Sequence, residues 1–240
     1  MSRVALVTGG TRGIGAAISI ALKEAGRNVI ASYAGNTVAA EAFTKETGIE
    51  AIKFDAGNYE ESVAAVNDIA ARHGTIEILV NNAGITRDTP LSKMTRDMWD
   101  AVIDTNLGSC FNLCKATFDA MKANKFGRIV NISSINGQAG QFGQVNYSAA
   151  KAGIHGFTKA LAQEGARNNI TVNTLAPGYV DTEMVRAVPA DVLEKIIAKI
   201  PRGRLGNVQD IARGIVFLTA DEADFITGST LSINGGQHMY

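Results

Sequence analysis

Short runs rich in Val, Ile and Leu recur along the chain as VALVT, NVIASY, AIKFD, IEILVNN, RIVNIS, ITVNTLAPG and LSING. Most are apolar at nearly every position rather than at every second one. A strand of that kind needs cover on both faces, which is the situation of strands in a parallel sheet flanked by helices. Segments with helical periodicity separate the runs: GIGAAISIALKEAG, Thr37 to Thr47, Tyr59 to Arg72, two between Thr95 and Ala123, Asn146 to Arg167, Pro189 to Lys199 and Val208 to Ala220. The alternation predicts one α/β domain over residues 1–240, an open doubly wound parallel sheet of about seven strands. Ligands in such sheets bind beyond the carboxyl ends of the strands.

At 240 residues and 46% hydrophobic content the chain can bury a sizeable core. Lys plus Arg and Asp plus Glu both number 23, so no global field draws it to nucleic acid or to an anionic membrane. No run reaches the length of a membrane span and no leader pattern precedes VALV, so a soluble cytoplasmic protein is expected. Cys110 and Cys114, four apart in a helical segment, fit neither a disulfide framework nor a zinc pattern and read as buried thiols. His73, His155 and His238 are scattered without metal-ligand spacing.

The segment TGGTRGIG, Thr8 to Gly15, follows the first strand and opens the first helix. Glycine permits positive φ and close backbone approach, and a helix N-terminus offers unpaired N–H groups to a pyrophosphate. In that context Gly9, Thr11, Arg12, Gly13, Ile14 and Gly15 form a dinucleotide-binding loop of the Rossmann type. NAD-preferring sites place an acidic residue at the end of the second strand to bond the ribose 2′-hydroxyl. Here that end reads ASYAGN, without one, and Arg12 stands where it can pair with a 2′-phosphate. NADP(H) is therefore the expected cofactor, with Ser32, Tyr33 and Asn36 adding hydrogen bonds. Asp55 is a candidate partner for the adenine amino group, and Asn82, Ala83 and Gly84 put small residues where a strand end passes close to the cofactor.

The stretch QVNYSAAKAG sets Tyr147 and Lys151 four residues apart at the start of a helix, hence on one face. A phenol with its ordinary pKa near 10 is protonated at neutral pH, and lowering it to about 7 takes roughly 4 kcal/mol. A neighbouring ammonium and an oxidised nicotinamide ring are expected to supply that. Upstream, Ser133 and Ser134 end the strand in RIVNISSING, and Asn106 in IDTNLGS can interrupt a helix and hold a water. Lys122, Lys125 and Arg128 read as a solvated edge or as a patch attractive to an acidic carrier protein.

With these motifs in this order, the whole chain resembles the short-chain dehydrogenase/reductase family: TGGTRGIG, NNAG, Asn106, Ser134 with Tyr147 and Lys151, and PGYVDT each match a family element. The resemblance implies Tyr147 as general acid, Ser134 holding the substrate carbonyl oxygen, Lys151 on the nicotinamide ribose and Asn106 positioning a water. It also implies that Pro177, Gly178, Val180 and Thr182 lie against the nicotinamide, with Gly178 allowing close approach. Within the family, GQFGQ and LSINGGQHM are similar to the acetoacetyl-CoA reductase branch of polyhydroxyalkanoate synthesis. That branch implies reduction of a 3-oxoacyl thioester such as acetoacetyl-CoA to the R alcohol, with Asp88, Gln141, Phe142, Gln144 and Tyr179 beside the acyl path. It further implies a lid over 183–205 and a homotetramer built partly from the helices bearing Cys110 and Lys159. The 3-oxoacyl-(acyl-carrier-protein) reductases of fatty acid synthesis would share the catalytic set. A catalytically silent NADP-binding sensor is the reading from another class; such proteins usually lose part of the Ser, Tyr and Lys set.

Overall fold

A computed structural model of the chain describes residues 2–186 and 188–239. Among them, β1 (Val4–Val7), β2 (Asn28–Tyr33), β3 (Glu50–Lys53), β4 (Ile76–Asn81), β5 (Gly127–Ile132), β6 (Ile170–Pro177) and β7 (Thr230–Ile233) form one parallel sheet in the order β3-β2-β1-β4-β5-β6-β7. The helices are α1 (Gly13–Glu24), α2 (Thr37–Thr47), α3 (Tyr59–His73), α4 (Arg96–Ile103), α5 (Ser109–Asn124), α6 (Ile135–Ala139), α7 (Val145–Gly165), α8 (Glu183–Arg186), α9 (Ala190–Ile197) and α10 (Val208–Leu218). Strand order reverses between β1 and β4, which makes the crevice at their carboxyl ends the expected binding place.

The period of two along each strand explains why the strands are apolar throughout. Ala5 and Val7 of β1 pack into one core with Ile18 and Leu22 of α1 and Ile215 and Leu218 of α10. Val4 and Leu6 point the other way, into a second core with Val66 and Ile69 of α3 and Leu113 and Met121 of α5. Local chemistry marks the helix ends. Asn58 caps α3 by accepting from Glu61 N at 3.0 Å, Glu60 and Glu61 favour the positive end of its dipole, and Gly74 at φ 91° stops it. Asn36 caps α2 in the same way, accepting from Ala39 N at 3.0 Å, so its side chain serves the helix rather than a cofactor.

Between α4 and α5 the helix widens into a π turn over Asp104–Gly108, with Asn106 buried inside it. The interruption expected at this asparagine is therefore present, and turns of this kind often mark functional sites. Cys110 and Cys114 are both buried and unbridged, as the sequence implied, and burial pushes the Cys110 thiol up to about 11. No helix among the described residues is long and apolar enough to cross a membrane.

Arg128 is neither a solvated edge nor a docking cation. It is 1% exposed, and its guanidinium donates to the carbonyls of Gly127, Asn169, Ala220 and Asp221 at 2.9 to 3.2 Å. It also stacks on Phe126 at 4.3 Å, with Arg3 on the same ring at 3.3 Å. A buried cation is tolerable where its donors are satisfied, and a planar five-donor group can collect carbonyls from several segments at once. This cluster closes the rim of the sheet opposite the carboxyl ends of the strands.

Candidate active site

The loop after β1 is shaped for a phosphate. Gly9 and Gly13 adopt φ of 60° and 52°, and a Cβ added to Gly15 would lie 2.1 Å from the carbonyl oxygen of Gly9. Only glycine allows this fold of the backbone. Arg12 stands at the N-cap of α1 without a side-chain cap hydrogen bond, and the first turn holds no acidic residue, so the leading N–H groups and the positive dipole end are left for an anion. The residues present thus fit the pyrophosphate of a dinucleotide. Arg12 is exposed, Thr11 is buried, and Ile14 packs on the core beneath.

Ser32 is 2% exposed, and its hydroxyl accepts from Gly9 N at 3.4 Å while its carbonyl takes Gly10 N at 2.9 Å. It therefore supports the loop from below. Tyr33, half-buried, remains at the strand end. Asp55 is exposed, and its carboxylate accepts from Gly57 N at 2.9 Å, shaping the turn after β3.

A residue not singled out in the sequence ties the first and fourth strands together. The buried Thr8 hydroxyl accepts from both Asn82 N and Ala83 N at 2.9 Å, and Asn82 Nδ2 donates to Thr8 O and Gly9 O at 2.9 and 3.2 Å. A Cβ on Gly84 would fall 3.3 Å from Asn106 Oδ1 and 3.6 Å from Lys151 Nζ, which places these three residues around one point. Asn106 clamps the backbone of Ile85, accepting its N–H at 2.8 Å and donating to its carbonyl at 2.9 Å. Asn106 thereby fixes the loop after β4. Asn106→Leu should strip two partners from partly buried backbone groups and lower the unfolding free energy by about 2 kcal/mol in a urea titration; unchanged stability would show that the clamp carries no load.

Tyr147 and Lys151 share a face of α7, with the lysine Nζ 5.7 Å from the tyrosine ring centroid. The start of α7 is fixed by Asn146, fully buried, which accepts from Tyr147 N at 2.8 Å and donates to Arg87 O and Met98 O at 3.3 and 3.2 Å. Ser134 caps α6, accepting from Asn136 N at 3.1 Å, and hydrogen-bonds the Tyr147 hydroxyl. Ser134, Tyr147 and Lys151 are therefore brought together. In the protein alone, burial holds the Tyr147 pKa above its ordinary value, the Ser134 hydrogen bond opposes this, and Asp88 and Tyr179 add to the rise. Lys151 is 3% exposed and donates to Ile132 O at 2.7 Å. Burial lowers the lysine itself to about 8.

Asp88 and Tyr179 reach the phenol electrostatically, which brings two of the expected substrate residues to the triad. Gln144 donates to Asp88 Oδ2 at 2.7 Å and accepts from Asn136 Nδ2 at 2.9 Å, making a polar chain from Asp88 to the residue that bonds Ser134. Phe142 is 86% exposed and Gln141 is exposed beside it. On the other wall, Pro177 ends β6, Val180 is buried in the core, and Thr182 lies at the start of α8, accepting from Val185 N at 3.4 Å. A Cβ on Gly178 would meet Asn234 Cα at 2.7 Å, so this glycine lets the chain after β7 approach closely. Beyond it, α9 buries none of its residues, whereas Ile200 is buried.

A phosphate-shaped βα loop and a Ser, Tyr and Lys set beside it at the switch point of a doubly wound sheet place this chain in the short-chain dehydrogenase/reductase family. It is an oxidoreductase that works with a nicotinamide cofactor. The family model matching residues 9–238 carries the description enoyl-(acyl carrier protein) reductase. The chain is 63% identical over 238 residues to an acetoacetyl-CoA reductase of Shinella zoogloeoides, covering 99% of each chain. It is 60% identical over 240 residues to one of Rhizobium meliloti, covering both chains fully. A 3-oxoacyl-(acyl-carrier-protein) reductase of Escherichia coli is 45% identical over 248 residues, with 99% of this chain and 98% of the other covered.

Proposed function

We propose that this protein reduces a 3-oxoacyl thioester, acetoacetyl-CoA above all, to the (R)-3-hydroxyacyl thioester using NADPH. The observation that carries the reading is the convergence of Ser134, Tyr147 and Lys151, supported by two full-length relatives of about 60% identity that bear the name acetoacetyl-CoA reductase. The complete triad also argues against a silent NADP-binding sensor.

NADPH, when bound, supplies the hydride to the carbonyl carbon. Residues of the chain do the rest. The Tyr147 hydroxyl gives its proton to the carbonyl oxygen, and Ser134 donates to the same oxygen as negative charge grows there. A phenol kept protonated by burial suits this direction, since a proton donor must still hold its proton when substrate arrives. Lys151, with its lowered pKa, stands within a turn of the phenol and can return a proton to that end of the site. Arg12 pairs with the 2′-phosphate, Tyr33 borders the adenosine, and Gly9, Thr11, Gly13, Ile14 and Gly15 present the loop to the pyrophosphate. Asp55, Asn82, Ala83 and Gly84 line the adenine and ribose side, and Pro177, Val180 and Thr182 the nicotinamide side. Gln141, Phe142, Gln144, Asp88 and Tyr179 border the thioester path, and the described residues of 183–205, from which residue 187 is left out, form a lid over it.

We further infer a cytoplasmic homotetramer, packed partly through α5 and α7. Phe111 on α5 is 53% exposed, an apolar surface consistent with such packing.

The test is the fall of reduced-nicotinamide absorbance with acetoacetyl-CoA, repeated with NADH and with the acyl group on a carrier protein. NADPH and the CoA thioester are expected to give the highest kcat/KM by at least about tenfold, the scale of one charge-assisted contact. A preference for NADH overturns the role of Arg12, and a preference for the carrier substrate moves the protein to fatty acid synthesis.

A further inference from the structure

Lys151 is gripped by two consecutive residues at the end of β5. Its Nζ donates to Ile132 O at 2.7 Å, and its own carbonyl accepts from Ser133 Oγ at 2.8 Å. A serine hydroxyl has one hydrogen, and a carbonyl can only accept, so the Ser133 proton is committed to Lys151 O. The Ser133 oxygen is then an acceptor, and Nε2 of His155 lies 3.0 Å from it. His155 follows Lys151 by four residues and shares its face of α7. Its other nitrogen, Nδ1, lies 3.0 Å from Thr230 Oγ1 on β7. The Ser133 contact requires Nε2–H as the donor, and in the neutral ring Nδ1 then accepts from Thr230. Burial lowers the imidazole pKa, and Lys159 pushes it the same way, which keeps that form.

We propose that His155 is a positioning residue for the Tyr147 and Lys151 pair, acting through Ser133 to hold the lysine-bearing turn of α7 against the end of β5. The inference rests on the reading of those two residues as the proton-transfer pair. Thr230 fixes the tautomer, His155 fixes the serine rotamer, and the serine fixes the turn. Ser133 also immediately precedes Ser134, so the same hydroxyl anchors both walls of the triad. Small displacements at such a point cost far more in rate than in ground-state binding.

The test compares His155→Leu, His155→Gln, Ser133→Ala, the His155→Leu/Ser133→Ala double variant and Tyr147→Phe, measuring kcat and KM with NADPH and acetoacetyl-CoA. His155→Leu should lower kcat about tenfold with both KM values nearly unchanged, the scale of one lost buried hydrogen bond. His155→Gln, which restores an N–H donor, should recover most of that loss, and His155→Leu should add nothing in the Ser133→Ala background. A normal kcat in His155→Leu, or a full further loss in the double variant, overturns the proposal. If His155→Leu does not fold, Thr230→Val takes its place, expected to lower kcat about threefold by freeing the tautomer; an unchanged kcat there overturns it equally. Tyr147→Phe separates the two levels: turnover in that variant sinks the underlying reading, whereas a silent Tyr147→Phe beside a normal His155→Leu sinks the positioning role alone.

Discussion

Tyr147→Phe is expected to lower kcat by about 10³-fold, within the range general acid catalysis contributes, while NADPH titrates the variant much as it does the parent. The ring stays in place because its position is set by α7 and by Asn146 beneath it, not by the hydroxyl. Only the proton is lost, together with the bond to Ser134. The pH profile offers a second check. Burial raises the phenol, so in the protein alone the proton is retained across the neutral range, and the rate of reduction should stay level there before falling at alkaline pH. Near-parental turnover in a folded Tyr147→Phe protein would remove the phenol from the mechanism.

Gly15→Ala is the second large effect. The new Cβ would stand 2.1 Å from Gly9 O and 2.7 Å from Asn82 Nδ2, and the first of these is main chain that cannot rotate away. The loop must open by roughly 1 Å, a displacement that costs about 100-fold where groups are preorganised. Fluorescence titration should therefore show NADPH affinity reduced on that scale. Gly13→Ala provides the contrast. Its Cβ meets nothing within 4 Å, so the variant bears only the strain of φ 52°, on the order of 1 kcal/mol. If Gly15→Ala bound NADPH as tightly as Gly13→Ala, the cradle would not be where the cofactor sits.

The two-sided strands, the glycine loop and the Tyr and Lys spacing were all legible because each is a short-range pattern: period two, period 3.6, or a turn that only glycine can make. The Thr37–Thr47 helix, for example, is bounded by an asparagine cap and a glycine at φ 65°, both local signals. What was not legible depends on residues far apart in the chain. Thr8 meets Asn82, Arg128 meets Ala220, and Gly178 meets Asn234 only once the sheet is assembled. Ser32, next to the end of β2, is a similar case: only its direction on the assembled strand brings its hydroxyl to Gly9 N beneath the loop. The phenol's environment was not legible for a related reason: spacing puts the lysine on the right face, but burial, which spacing does not reveal, raises the phenol in the protein alone.

Arg128 also bears on how such a protein can change over generations. It draws together the main chain of β5, the turn before β6 and the segment after α10, so one rim is locked by a keystone whose partners are backbone atoms and hence insensitive to side-chain drift. Loops at the other rim can then be lengthened or recomposed without loosening the frame, leaving acyl-chain preference open to adjustment while the architecture is inherited intact.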